Sequence, residues 1–417
     1  MRRGAPRRSE QNQLLDEEIG KIAEFPLFLS MQVFLVSSCS GNQSEDWLII
    51  GGGLAGALVA REALGSGVQV TICDPCPGSN SPPGGILHPY PGRRFVQNTL
   101  EGLAFAHGQG FYADLAADSV LEVKMNLPVV RPLEAPLLNA ACLSGQKFDR
   151  QYRNHAEIER LWPILNVSAG AFTYNSGMVL DVRAMVNTLI SGSAKAGART
   201  IPFFATDLEK RDSGWYASGE FGEVGPFSAV VCAVGSEHCQ LLSCKGASRN
   251  FGSLALYTDD RPDQDYQVIV SSGGHFAPLP GSGYVVGSTY IHLDDVGAVP
   301  VWAETDEAEH LEDVRRKLLR SHGSGAARRQ LWHGSRATVP QDKQPIAGLL
   351  TSSADCGIWM IGGLASRGLF WAPWLATNLV AAILRKSNEA LPTEFCPQRL
   401  KGFDRGWYEG RIVRVRH

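Results

Sequence analysis

The chain has 417 residues, 44% of them hydrophobic and 19% charged, with a net charge of −3. That balance excludes a disordered or fibrous protein, leaves length for two intertwined domains, and gives no overall reason for a polyanionic partner, although charge can be local. The nine cysteines are an odd number, and only Cys73 and Cys76 form a C-x-x-C pair, so they read as small buried side chains in a reducing, cytoplasmic compartment, with no metal site expected.

Residues 1–45 differ in character: "MRRGAPRRSE" is basic, "LLDEEIG" acidic, and the apolar stretch around "FPLFLSMQVFLVSSCS" is too short to span a bilayer. Neither a transit peptide nor a signal peptide fits, and the segment is expected to be a disordered extension, with Met31 an alternative start. No run of 18 apolar residues follows, so no transmembrane segment is expected.

From Ile49 the chain reads "IIGGGLAGALVAREALGSGVQVTICD": an apolar strand, glycines at 51, 53 and 56, an amphipathic helix, a second strand and Asp74. Gly51 permits the tight turn, Gly53 lets a pyrophosphate approach the backbone, and Gly56 lets helix and strand pack closely, while the helix N-terminus offers unpaired N–H groups. Asp74 lies about twenty positions past Gly51, where a ribose-binding acid is expected; it would repel a ribose phosphate and so disfavours NADP. The competing reading is a glycine-rich turn in an ordinary βαβ unit.

"PCPGSNSPPGGILHPYPGRRF" must be loop, and the pattern turns helical from Arg93 to Leu115. "EVKMNLPVVRPL" and "GAFTYNSGMVLD" read as short strands, and "VRAMVNTLISGSAKAGA" as a helix capped by Asp181. "FSAVVCAVG" is a buried strand, "DYQVIVSS" and "GYVVGSTYIHL" are β-rich, and Glu304 to Arg320 reads as a solvated helix. "IWMIGGLASRGLFWAPWLATNLVAAILRK" closes the chain with strand, glycine turn and apolar helix, the same order as at its start.

From about Trp47 to Leu391 these pieces resemble the FAD-dependent D-amino acid oxidase superfamily, which includes glycine oxidase and sarcosine oxidase. The carrying motifs are the first glycine segment, "PPGGILHPY", "AVVCAVG", "SRATVPQDKQPIAG" and "GGLASRGLFWAPWLA". Within that superfamily "SRGL" followed by "AP" is most similar to the FAD-dependent oxidase domain of the bifunctional tRNA methylaminomethyl-thiouridine biosynthesis protein. The resemblance implies an α/β fold: a discontinuous Rossmann-like FAD-binding domain (46–95, 176–235, 335–390) and an α+β substrate domain on an antiparallel sheet (96–175, 236–334). A basic tail over 391–417 follows.

It also implies site residues. The diphosphate would lie on Gly51, Gly53 and Gly56, with Gly84 and Gly85 approaching the isoalloxazine, and Thr206 and Gly235 covering the adenosine end by backbone contacts. The turn of Gly362, Gly363, Ser366, Arg367, Gly368 and Leu369 would aim a helix N-terminus at the pyrimidine edge of the flavin. Arg336 matches the arginine that forks onto a substrate carboxylate, with a surface or structural salt bridge as the competing reading. The loop after it departs from the family by one extra residue. Arg367 either takes an anionic group or braces the flavin loop. His88 and Tyr90, just beyond the glycines, are candidates to face substrate, with an ordinary hydrogen-bonded histidine as the competing reading for His88; Tyr290, expected on a strand, either packs in the core or contacts substrate. Proline precedes Gly84 where relatives attach flavin, so FAD is expected to be noncovalent.

The reaction implied is oxidation of a C–N bond beside a carboxylate by hydride transfer to flavin. One carrier is a carboxymethylamino group on the wobble uridine of tRNA, for which "QRLKGFDRGWYEGRIVRVRH" offers basic and aromatic residues. Another is a free amino acid or secondary amine (glycine, sarcosine or a D-amino acid), with release of hydrogen peroxide. A third reading is a flavoprotein without amine chemistry.

Overall fold

Strand β1 (Asp46–Ile50) sends Trp47 and Ile49 into one apolar core and Leu48 and Ile50 into another. A strand buried on both faces needs an unbroken apolar run, which is why DWLII lacks alternation. The computed structural model describes residues 45–91, 97–133, 150–220, 222–237, 248–258, 266–281, 283–292, 304–320, 328–351 and 357–400. Of the extension expected over 1–45 only Glu45 is described, and of the tail expected over 391–417 only 391–400.

β1 lies between β2 (Gln69–Cys73) and β11 (Ala229–Cys232), parallel to both. β7 (Arg199–Ile201) extends the sheet beyond β2; β19 (Ile358–Gly362) and antiparallel β18 (Ile346–Leu349) extend it beyond β11. On one face α1 (Leu54–Gly65), α4 (Val182–Lys195) and α6 (Gly368–Leu384) share a core, and α2 (Thr99–Ala117) packs against α6. The other face carries a three-stranded antiparallel sheet, β8 (Ala205–Arg211), β9 (Gly214–Gly219) and β10 (Gly222–Phe227), which contributes Leu208, Trp215 and Phe227 to the second core.

The remaining strands form a ten-stranded sheet in the order β16 (Ile291–His292), β12 (Ser248–Thr258), β15 (Tyr284–Gly287), β14 (His275–Pro278), β13 (Ile269–Ser271), β4 (Val123–Pro132), β6 (Ala171–Leu180) and β3 (Gly85–Leu87). β17 (Arg328–Thr338) pairs with β12, and β5 (Gln151–Arg153) with β6. All pairings are antiparallel except β13 with β4. "EVKMNLPVVRPL" therefore gives one ten-residue strand, not several short ones; register shifts at Lys124/Leu127 and Leu127/Val129 let it bend without ending. The segment borders expected at 175/176 and 334/335 fall inside β6 and β17.

The outer face of this sheet packs on α3 (His155–Leu161) and α5 (Glu304–Leu318) through Ile158, Leu311, Val314 and Leu318. α5 is thus half-buried, against the expectation of a solvated helix: its charges flank an apolar stripe that the charge pattern masks. The inner face, with Leu127, Val129, Tyr174, Ala277 and Val285, is a separate core.

Candidate active site

Two of the described α-helices, α1 and α6, start without a side-chain cap. α2, α3 and α4 are capped by Asn98, Asn154 and Asp181, whose side chains accept backbone N–H groups of the first turn. α1, entered through Gly53, and α6, entered through Arg367, have no such acceptor. Their leading N–H groups are left for a ligand, and the positive end of each helix dipole favours an anionic one.

At α1 the glycines have distinct jobs. Gly51 has φ +102°, and a Cβ there would meet the Ala233 carbonyl oxygen at 2.5 Å. A Cβ on Gly56 would collide with the carbonyl of Gly51, so helix and strand approach as closely as backbones allow. A Cβ on Gly53 would meet nothing within 4 Å, an open position beside the uncapped helix end. Asp74 directly follows β2; its carboxylate accepts the Gly52 N–H at 2.6 Å and the Cys76 N–H at 2.7 Å, leaving lone pairs for a ribose. Cys73 donates its thiol to the Phe203 carbonyl, burial pushes it up to about 12, and it is no reactive partner for the exposed Cys76.

Gly235 follows β11 with φ +59° and has open space where a Cβ would stand. Thr206 sits at the register shift between β8 and β9, its hydroxyl donating to the Ser218 carbonyl at 3.3 Å. Gly84 and Gly85 differ from expectation in why they must be small. A Cβ on Gly84 would meet Leu279 at 2.6 Å and one on Gly85 would meet Leu369 at 2.5 Å, so protein side chains, not a ligand, occupy those directions.

The turn into α6 begins at Gly362, the end of β19, and Gly363 has φ +63°. Ala365 donates its N–H to the Ala337 carbonyl at 2.9 Å, Ser366 is exposed, and Gly368 and Leu369 open the helix. Arg367 braces this turn: it pairs with Glu101 of α2 at 3.1 Å and donates to the Lys343 carbonyl at 2.5 Å. Its other expected use, an anion contact, is disfavoured because its charge is already met. Inside α6, Pro373 has no N–H to give the Leu369 carbonyl, and the Tyr112 hydroxyl donates to that oxygen instead.

Arg336 precedes Ala337 on β17, opposite Asn250, and lies on the inner face of the sheet. Its guanidinium stands over Gly252, where a Cβ would clash with Nη2, and 5.4 Å from the Tyr290 ring. Among the described residues it makes no ion pair and no hydrogen bond, and burial lowers its pKa. The salt-bridge reading therefore fails for the described residues. Tyr290 is not on a strand: β15 stops at Gly287, and Tyr290 lies in the following loop, 59% exposed, which also removes core packing as its role.

His88 is buried, 3.0 Å from the Tyr174 hydroxyl through Nδ1, and is pushed down to about 3 by burial, with Arg131 and His275 adding. It is a satisfied neutral histidine. Tyr90 is buried edge-on against Tyr174 and its carbonyl accepts from Arg131 at 2.6 Å. Sequence reading missed His275, which shares the inner face with Arg336 and is pushed down to about 4 by burial and by that arginine. One histidine opening a four-residue strand carries no signal in sequence.

A model of the FAD dependent oxidoreductase family, DAO, matches residues 46–382. The chain belongs to that family. It is an FAD-dependent oxidoreductase, and the uncapped helix ends, the open positions at Gly53 and Gly235, and the Asp74 carboxylate have the chemistry that this cofactor needs. Among similar curated proteins are the tRNA 5-methylaminomethyl-2-thiouridine biosynthesis bifunctional proteins MnmC of Marinobacter nauticus, 26% identical over 369 residues, covering 81% of this chain and 55% of the relative, and of Caulobacter sp., 26% over 346 residues, covering 81% and 54%. The chain spans about half the length of the curated relatives it matches. Glycine oxidase from Geobacillus kaustophilus has a similar structure, with a TM-score of 0.72 at 18% identity, covering 86% of this chain and 100% of that one. Iminodiacetate oxidase from Chelativorans sp. gives 0.67 at 19%, covering 84% and 98%. These likenesses establish the fold. No helix among the described residues is long and apolar enough to cross a membrane.

Proposed function

We propose that the protein oxidises the C–N bond of a carboxymethylamino group carried on the wobble uridine of tRNA. One observation carries the reading: Arg336 is a half-buried cation without an ion pair among the described residues, one position from the residue that hydrogen-bonds the turn into α6. A cation held out of water without a counter-ion is costly, and a substrate carboxylate in the guanidinium fork removes that cost. The curated relatives, named for tRNA 5-methylaminomethyl-2-thiouridine biosynthesis, support the carrier. A tRNA substrate would also place the enzyme in the cytoplasm.

In this reading Arg336 fixes the carboxylate and thereby the α-carbon. Bound FAD, held noncovalently, supplies the two-electron acceptor. His275, pushed down to about 4, stays neutral near pH 7 and adds no second cation beside Arg336. The amine reacts as the free base, and no side chain is asked to take its proton; water splits the imine to glyoxylate and the shortened amine. Of the basic C-terminal residues offered for tRNA, Arg399 is already engaged: it clasps Asp342 at 2.8 Å and donates to the Gln344 carbonyl. Lys401, Arg405, Arg411, Arg414 and Arg416 lie outside the described residues.

Anaerobic bleaching of the flavin tests the reading. The yellow protein is offered tRNA bearing carboxymethylaminomethyl-uridine, glycine, sarcosine and a D-amino acid panel in parallel. Bleaching by the tRNA alone is expected; bleaching by a free amino acid would transfer the same chemistry to a small substrate, and no bleaching by any of them would overturn amine oxidation.

A further inference from the structure

Behind Arg336, on the outer face of the sheet, lies a buried polar cluster that the reaction does not use. Glu307 of α5 is 8% exposed and accepts a short hydrogen bond from the Ser253 hydroxyl, while its second oxygen lies 3.5 Å from the Thr289 hydroxyl. His333 Nδ1 stands 2.7 Å from Ser253 Oγ and 3.1 Å from Glu307. The Thr289 hydroxyl also accepts the Ser253 N–H at 2.8 Å, and the Thr289 N–H donates to the Ser253 carbonyl at 3.3 Å. Serine, histidine and a carboxylate together suggest a hydrolytic triad, but the geometry excludes one: Ser253 is fully enclosed and is the centre of the cluster, not its exposed end.

We propose that Glu307 is a positioning residue, acting through Thr289 on the pair Tyr290 and Arg336; the inference rests on the reading of Arg336 as the carboxylate anchor. The hydrogen-bond directions make the case. Ser253 and Thr289 both aim hydroxyl protons at Glu307, so the carboxylate is the shared acceptor that orients the two hydroxyls, while the Ser253–Thr289 bonds hold Thr289 against β12. A buried carboxylate is tolerated because those donors replace water. Thr289 turns its side chain to this outer cluster, and Tyr290, the next residue, turns its ring to Arg336 on the inner face.

Gly252 completes the link. A Cβ there would lie 2.5 Å from the Thr289 carbonyl and would also strike Arg336 Nη2, so the threonine backbone and the guanidinium share one slot. Whatever fixes Thr289 fixes the floor on which the arginine rests. Tyr290 is exposed and outside any strand, held through its two neighbours: Ile291, which pairs with Phe251 on β12, and Thr289, which the buried cluster anchors.

The test uses the FAD-loaded full chain with Thr289→Val, Thr289→Ser and Glu307→Gln. The probe is acetate, titrated against the visible spectrum of bound flavin, alongside steady-state oxidation of the amine found in the bleaching assay. Thr289→Val and Glu307→Gln are expected to weaken acetate binding about tenfold, the scale of one charged hydrogen bond, and to raise KM equally while kcat changes less than about twofold. Thr289→Ser, which keeps the hydroxyl, is expected to match the parent. A crystal structure of Thr289→Val reads the Tyr290–Arg336 separation, now 5.4 Å, and is expected to show it widened. If Thr289→Val yields no holoenzyme, Glu307→Gln decides. Parental acetate binding and an unchanged separation in the variants overturn the inference. Acetate that fails to bind the parent, or binds Arg336→Ala equally well, overturns the anchor reading instead, and the crystallographic separation still judges the positioning on its own.

Discussion

Tyr112 donates its hydroxyl to the carbonyl oxygen of Leu369 at 3.0 Å, linking α2 to the first turn of α6 across 257 positions of sequence. The bond replaces the one that Pro373 cannot make, and burial keeps the phenol protonated. Tyr112→Phe leaves a buried carbonyl unpaired, and a loss of about 1–3 kcal/mol is expected in urea denaturation of the holoprotein. Pro373→Ala restores an N–H in reach of the same oxygen. The double variant should therefore be less destabilised than Tyr112→Phe alone, a sign that two unrelated defects would not give.

The glycines at α1 separate fold from cofactor. Gly56→Ala must push Gly51 out of place, so loss of both yellow colour and thermal stability is expected. Gly53→Ala has open space on the protein side. It should unfold at the parental temperature as apoprotein while FAD affinity, measured by flavin fluorescence, falls tenfold or more. Equal FAD affinity would remove Gly53 from the diphosphate site.

Arg336→Ala is expected to lower kcat/KM on the amine substrate by about 10²–10³-fold, the cost of removing one partner of a buried charged pair. Arg336→Lys should recover little, because an ammonium cannot reproduce the planar fork. Gly252→Ala, which touches no substrate, is expected to act in the same direction by displacing the guanidinium.

Acid should unfold the protein early. His88 and His275 are pushed down to about 3 and about 4, against about 6.5 in the unfolded chain. Between those values the unfolded chain binds more protons, so stability rises with pH through this window and is lost as pH falls from about 6.5 toward 4. Each histidine contributes up to about 1.4 kcal/mol per pH unit. Urea midpoints from pH 7 to pH 4.5 measure the slope; a flat profile would show that neither ring is held neutral.

The cofactor half of the molecule was legible because its constraints are local. Gly51, Gly53, Gly56 and Asp74 lie within one βαβ unit, and each spacing follows from a turn, a close approach or a strand end. Asp181 likewise caps its helix within three residues. The substrate half was less so. "GYVVGSTYIHL" reads as one β-rich run, and nothing in it marks the break at Gly287 that frees Tyr290, because Thr289 is drawn away by a partner on another element. Glu307 sits in a run of acids whose charge suggests solvent; only the positions of Leu311, Val314 and Leu318 place it at the edge of the buried stripe. Gly252 looks like a dispensable glycine until a residue far along the chain comes to rest on it.

The strand order of the nucleotide sheet carries one more consequence, for synthesis. β1 is among the first described segments to leave the ribosome, yet one of its neighbours is β11, and β19 must then close over β11. The early βαβ unit therefore waits with an open edge until β11 is made, and their pairing joins residues far apart in sequence. Long loops make for slow closure and an exposed edge for sticky intermediates. The uncapped start of α6 follows every described strand, so ribosome-stalled chains ending before Ile358 should remain flavin-free and dependent on chaperones.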